Sequence, residues 1–349
     1  HLKFEDNFED SYGDINGKGI NGTTFSSGIE GRGAYFDGSN DYIDLGDANY
    51  IKHGDFDPRG ASNSYSISMW VYSTEQATSS NANSYIGKHT SNGTTNVFLF
   101  GYWNNQLSVR VRGNVQYIPA AGSEPVNTWV HYVVTAKESG TSTAAKVYKD
   151  GAQIWSGTIT DVMGTYSADD LPWVLGQDWD NGPVTSDFFK GKMDNVRFYD
   201  TEIDANYVQQ IYLKESSLAH YTFDDTLEDS GPNGYDGTNA GDAGFDFGME
   251  NRSLSLDGSY YSFAELGNFD PRGNDGVNGF SISMWVKSDV QATSSNNNCY
   301  IGKHTSSGGN IFLFGYWSGA LKIQIKDQVA TVTTAAEPTT WTHYVIVGY

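Results

Sequence analysis

Three groups of side chains in this sequence have the types and spacing to do chemistry. The first is a pair of acidic turns, Asp10-Ser-Tyr-Gly-Asp14-Ile-Asn16-Gly and Asp229-Ser-Gly-Pro-Asn233-Gly. Carboxylate and amide oxygens, beside glycines that let backbone carbonyls turn inward, are what a hard Ca²⁺ ion prefers, so Asp10, Asp14, Asp229 and Asn233 are candidate metal ligands. The same residues also make Asx-turns that hold no metal. The second group is Gln177-Asp178-Trp179-Asp180-Asn181-Gly182. An indole between carboxylates in a loop offers a stacking surface and hydrogen bonds for a sugar; the alternative is a Trp179 folded back onto the body of the domain. The third is Phe98-Leu-Phe-Gly-Tyr-Trp103, which recurs as Phe312-Leu-Phe-Gly-Tyr-Trp317. Trp103 and Trp317 stand at the turn before the next strand, with Lys88 and His89 as candidate partners of Trp103. Support of the turn is the competing role.

Other chemistry is missing from the sequence. It contains no Ser/His/Asp grouping, no phosphate-cradling Gly-rich loop and no zinc-ligand spacing, which argues against an enzyme. With 42 acidic and 21 basic residues the formal charge is −21. Such a surface repels phosphate backbones and anionic lipid, so neither nucleic acid nor a membrane surface is the expected partner. No apolar run is long enough for a transmembrane helix. Cys299 is the single cysteine, so no disulfide can form within the chain.

The elements that must position these groups come from a repeat. Ser66-Ile-Ser-Met-Trp-Val71 returns as Ser281-Ile-Ser-Met-Trp-Val286, Gln76-Ala-Thr-Ser-Ser80 as Gln291-Ala-Thr-Ser-Ser295, and Tyr85-Ile-Gly-Lys-His-Thr90 as Tyr300-Ile-Gly-Lys-His-Thr305. A spacing of roughly 215 residues marks a duplicated domain, far above the period of solenoids and propellers. The expected division is 1–213 and 214–349. The second copy is incomplete, because nothing in it answers to the first from about Lys146 to Leu213. Apolar residues alternate with period two, predicting strands at 34–36, 42–45, 64–72, 84–88, 97–102, 106–111, 129–136, 144–149, 152–157, 173–175 and 190–199. Asp150-Gly151 between two of them is a two-residue hairpin signal. Ile203, Tyr207, Val208 and Ile211 share one face of a predicted helix over 203–213. Trp70, Trp129, Trp285 and Trp341 lie inside strong strands and read as core packing. Many short strands with one small helix indicate an all-β sandwich.

Taken together, Phe223-Asp-Asp-Thr-Leu-Glu-Asp-Ser-Gly-Pro-Asn-Gly234, the Ser-Ile-Ser-Met-Trp-Val strand, Trp129-Val-His-Tyr132 and Gly191-Lys-Met-Asp-Asn-Val-Arg-Phe-Tyr199 before a short helix resemble the laminin G-like jelly-roll family. That family belongs to the concanavalin A-like lectin/glucanase superfamily. The resemblance implies a jelly-roll β-sandwich in tandem, and a structural calcium held by the acidic turn with Asp194 of the last strand. The first copy departs from the pattern in lacking the Ser-Gly pair of that turn. The superfamily includes family 16 glycoside hydrolases, whose strand carries Glu-x-Asp-x-(x)-Glu. The nearest match, Glu202-Ile-Asp204-Ala-Asn206, lacks the acid/base carboxylate and falls at the start of the helix. The expected function is a non-catalytic, extracellular carbohydrate-recognition or adhesion protein, meeting a glycan or glycoprotein on a cell or virion surface. The alternative is a structural surface protein, such as a virion decoration, tail-fibre or filament subunit, that binds further copies of itself. A glycoside hydrolase is a distant third.

Overall fold

Alternation obliges an extended chain to bury one face, and the segments around Ile67, Met69 and Val71 and around Phe98, Phe100 and Tyr102 bury theirs in one shared core. The computed structural model describes residues 1–13, 15–46, 56–90, 96–165, 171–180, 184–259, 262–272, 279–293, 295–305 and 308–348. They form two units, His1–Ser217 and Leu218–Tyr349.

In the first unit the strands are, in chain order, β1 (Lys18–Ile20), β2 (Thr24–Ser27), β3 (Arg32–Asp37), β4 (Tyr42–Asp44), β5 (Ser64–Ser73), β6 (Asn83–His89), β7 (Asn96–Trp103), β8 (Gln106–Val111), β9 (Asn114–Tyr117), β10 (Trp129–Ser139), β11 (Ser142–Lys149), β12 (Ala152–Ile159), β13 (Val174–Leu175), β14 (Asp178–Asp180), β15 (Val184–Ser186) and β16 (Lys190–Tyr199). Helix α1 (Ala205–Ser216) follows. Two seven-stranded antiparallel sheets, ordered β1-β4-β13-β6-β7-β8-β9 and β12-β11-β10-β5-β16-β3-β2, enclose the core. The β14–β15 hairpin lies against β6. Asp150 and Gly151 both take positive φ, as the tight turn between β11 and β12 requires.

A bulge interrupts β6. Ser84 pairs with Gly101 and Ile86 with Phe100, so Tyr85 is an extra residue, and Tyr85 and Ile86 both enter the core. The pattern recurs in the second unit, where Cys299 pairs with Gly315 and Ile301 with Phe314.

The tryptophan expectation is corrected by the same alternation. Ile67, Met69 and Val71 take the inner face of β5, which leaves Ser66, Ser68, Trp70 and Tyr72 on the outer one. Trp70 is buried there by α1, not by the opposite sheet. Its ring stacks on Tyr212 at 5.8 Å, and its Nε1 donates to Glu215 Oε2 at 2.7 Å. Arg197 pairs with the same Glu215 at 2.5 Å. Val208 and Ile211 of the helix pack on Val133 and Tyr148. Asp204 caps α1, its Oδ1 accepting the Tyr207 N–H at 2.8 Å, and Glu202 pairs with Lys146. Both carboxylates of the apparent hydrolase motif therefore have structural partners. Trp129 is half-buried on this outer face.

The second unit pairs Phe280–Val286 with Thr342–Gly348, and builds a four-stranded sheet from Asn298–His304, Asn310–Trp317, Ala320–Ile325 and Gln328–Thr333. Phe314, Tyr316, Leu321 and Ile346 form its buried cluster. Trp285 is 49% exposed and Trp341 half-buried, so neither is core.

One buried carboxylate organises the end of the first unit that carries Trp103. Glu124 accepts from Ser73 Oγ at 2.6 Å, the Ala77 N–H at 2.6 Å, Asn83 Nδ2 at 2.9 Å and Tyr85 Oη at 2.7 Å. Its own N–H donates to Asn105 Oδ1 at 2.8 Å, in the turn beside Trp103, and Gln76 Nε2 donates to its carbonyl at 2.9 Å. Glu337 repeats the arrangement with Ser288, Ala292, Asn298, Tyr300 and Gln291. The recurring Gln-Ala-Thr-Ser-Ser segment is thus one wall of a carboxylate socket. Glu124→Ala strands several buried donors and is expected to cost about 3 kcal/mol or more in urea unfolding, with Glu124→Gln costing less. Equal stability of wild type and the alanine variant would show that the socket does not hold the fold.

Candidate functional site

On the outer face of the first sheet, Leu99, Gly101 and Trp103 of β7 stand opposite Arg110, Ser108 and Gln106 of β8. Gly101 and Ser108 are small, and the Arg110 guanidinium carbon lies 5.9 Å from the centre of the Trp103 ring. Gly101 is also held small by the bulge, since a Cβ there would come within 2.2 Å of the Asn83 carbonyl oxygen. Trp103 Nε1 donates to Asp187 Oδ2 at 3.3 Å. A carboxylate thus fixes the edge of this indole and a cation lies over it, while the ring stays half-exposed.

The β14–β15 hairpin folds over the same face. Gly87 of β6 makes room for it: a Cβ there would stand 3.1 Å from the Leu99 side chain and 3.5 Å from Asp178 Oδ1. Asp178 is buried, and its Oδ1 accepts the Trp179 N–H at 2.7 Å. The Asn96 carboxamide, in the orientation that satisfies both neighbours, donates to Asp178 Oδ1 at 3.0 Å and accepts from Arg110 Nη1 at 2.9 Å. A polar chain therefore runs from a buried floor, Asp178 and Asn96, to a half-exposed rim, Arg110, Trp103 and Asp187.

The electrostatics follow from that burial. Desolvation pushes Asp178 up to about 7; the charges of Asp180 and Asp187 add to it, and the Trp179 N–H and Arg110 oppose it. Burial likewise raises Asp187 and lowers His89, which feels both Asp180 and Arg110. Gln177 is fully buried with neither amide atom partnered among the described residues. The Arg110 Nε, Trp179 Nε1 and the Ser84 and Ser186 hydroxyls are in the same condition. Native proteins leave few such atoms, so their presence marks a polar site.

Of the side chains singled out in the sequence, Trp103, His89, Asp178 and Asp180 come together here. Trp179 does not serve as a platform: it lies in a strand, is 6% exposed and packs edge-on against Tyr42 at 5.9 Å. Lys88 points the other way, its Nζ donating to the Leu171 carbonyl at 2.9 Å, because adjacent strand residues take opposite faces. Asn181 lies outside the described residues. Trp317 of the second unit is half-buried with Lys322 Nζ 5.8 Å from its ring; Gln324 takes the place of Arg110 and accepts from Asn310 Nδ2 at 3.2 Å. Arg110, Asn96 and Asp187 escaped the sequence reading. Arg110 left a signal, a guanidinium inside the apolar alternation Leu107-Ser-Val-Arg-Val111.

The acidic turns are closed by backbone donors. Asp10 Oδ1 accepts from the nitrogens of His1 at 2.7 Å and Tyr12 at 3.0 Å, and Oδ2 from that of Ile15 at 3.2 Å. Asp229 receives His220, Gly231 and Tyr235 in the same way, while Asn233 Nδ2 turns to the Leu218 carbonyl. Asp194 serves a different turn, accepting from Ile29, Glu30 and Asn195, and burial pushes it up to about 8. Among the described residues no three His, Cys, Asp or Glu side chains converge as a metal would need. Asp10 and Asp229 each close an Asx-turn through these backbone donors. Asp14 lies outside the described residues.

Residues 37–209 match the family described as the concanavalin A-like lectin/glucanases superfamily. No curated protein matches the chain. Among solved structures, domain 4 of the GH43 extracellular arabinanase AbnA from Geobacillus stearothermophilus, in complex with arabinotriose, is 21% identical, with 60% of this chain and 96% of that one covered and a TM-score of 0.45. A heptameric SAP-like pentraxin from Limulus polyphemus is 16% identical over 43% of this chain and 70% of that one, with a TM-score of 0.34. The binding domain of botulinum neurotoxin DC, in complex with rat synaptotagmin II, is 10% identical over 95% and 73%, with a TM-score of 0.42.

The folded-state value of Asp178 lies above the unfolded one, so the stabilisation tied to its proton is complete below about pH 4 and is lost as pH rises through about 7. Asp178→Asn keeps the Oδ1 bonds to Trp179 and Asn96. In urea unfolding between pH 4 and 8 it is expected to flatten that decline, and an unchanged slope would place the titration on another group.

Proposed function

Starting from a first unit that is a member of the concanavalin A-like lectin/glucanase superfamily, we propose that the chain is a non-catalytic carbohydrate-recognition protein. Its sugar site is the outer face of the first sheet beneath the β14–β15 hairpin. The observation that carries this reading is the half-exposed Trp103, fixed by Asp187 and covered by Arg110, at the rim of a buried Asp178–Asn96 floor. A sugar presents an apolar C–H face and a ring of hydroxyls. An indole takes the first, and carboxylate, amide and guanidinium groups take the second. The groups are held by one another before any ligand arrives, which lowers the ordering cost of binding.

Hydrolysis is the second reading, because Asp178 and Asp180 alternate on one strand and Asp178 is held near neutrality. Against it, the Asp178 carboxyl is buried and engaged by Trp179 and Asn96, so it cannot reach a glycosidic oxygen as a proton donor must. An extracellular setting and an adhesive role extend the same proposal.

A glycan array followed by calorimetry tests the reading. Neutral oligosaccharides are expected to bind, with Trp103→Ala and Arg110→Ala each weakening affinity about tenfold or more. Trp179→Ala should instead lower the melting temperature, because it empties a buried position. Release of new reducing ends from the bound sugar would establish the hydrolytic reading, and the absence of any glycan binding would leave an architectural role.

A further inference from the structure

The outer face of the second sheet carries a row of side chains set by register. Lys192 of β16 stands opposite Tyr35 of β3 on one side and Tyr72 of β5 on the other, and Tyr72 stands opposite Trp129 of β10. The row lies one step along from Trp70, which α1 covers, and all four side chains are half-buried. Strands are spaced about 4.8 Å apart, so the row spans roughly 14 Å. Lys192 Nζ is 4.8 Å from the centre of the Tyr72 ring and 6.0 Å from that of Trp129. It donates to the carbonyl and hydroxyl oxygens of Ser27 at 3.2 and 3.1 Å. Among the described residues it has no carboxylate within ion-pair distance, although the chain carries a formal charge of −21. An ammonium has three donors, so Ser27 leaves one of them and the net charge for a ligand.

We infer that this row is a second glycan subsite, separate from Trp103, for a sugar chain that bears carboxylate groups. The rings of Tyr72, Trp129 and Tyr35 take the C–H faces of successive pyranoses, and the Lys192 ammonium pairs with a uronate carboxylate between them. Charge decides the class. An uncharged sugar laid over Lys192 strips water from an ammonium and returns no counter-charge, whereas a uronate supplies one. The acidic Trp103 site has the opposite preference, since Asp178, Asp180 and Asp187 surround its single Arg110. The second unit has Lys287 where the first has Tyr72 and Ser255 where it has Tyr35, so it does not reproduce the row.

Calorimetry on the full chain with trigalacturonate and with its methyl ester tests the assignment. The acid is expected to bind at least tenfold more tightly than the ester, and to weaken as salt rises. Lys192→Ala and Tyr72→Ala should each lose about tenfold or more, Lys192→Arg should stay within a few-fold, and Trp103→Ala should change nothing, with melting temperatures confirming that each variant folds. Equal binding of acid and ester, affinity unchanged in Lys192→Ala, or no binding at millimolar trigalacturonate would overturn the subsite. Loss in Trp103→Ala would also overturn it, by assigning the uronate to the first face, and failure of neutral sugars at Trp103 would leave it untouched.

Discussion

A carboxylate withdrawn from water must be surrounded by donors, and that requirement at Glu124 governs how one end of the first sandwich closes. The donors come from the end of β5, the segment after it and the start of β6, so three stretches of chain converge on a point smaller than a side chain. The glutamate N–H then reaches Asn105 and fixes the turn in which Trp103 sits. Glu337 imposes the same convergence in the second unit, from the same sequence elements.

Much of this architecture was legible in the residues. Period-two alternation and turn residues located the strands, and Asp150-Gly151 specified its hairpin, because both are local properties of the chain. Elements whose partners are remote in sequence were harder to read. Trp70 has the surroundings of a core residue in its strand, but its cover is Tyr212 and Glu215, more than 140 positions away. Gly and Asn after Trp179 point to a loop, whereas cross-strand pairing with Thr185 makes it a strand residue. The site itself was half visible. Trp103, His89, Asp178 and Asp180 stood out by type, whereas Asn96 and Asp187 matter only through neighbours that the fold supplies.

The two outer faces of the first unit show what bulk composition conceals. An overall charge of −21 describes neither. One face sets a guanidinium among three carboxylates, and the other sets a lysine among aromatic rings with no acid beside it among the described residues. Long-range repulsion of anions remains a property of the whole surface, but contact chemistry is decided by four or five side chains at a time.

The irregularity in β6 has an effect out of proportion to its size. With Tyr85 and Ile86 both turned inward, the strand resumes its alternation half a period late, which sends Gly87 and His89 outward and Lys88 inward. Run the same residues in strict alternation, with no bulge, and the two basic side chains trade places, so that an ammonium would replace an imidazole on the outer face and the glycine that admits the hairpin would be wasted on the interior. Which basic group faces outward is thus decided by the extra residue that the bulge absorbs upstream, and not by any side chain of the outer face itself.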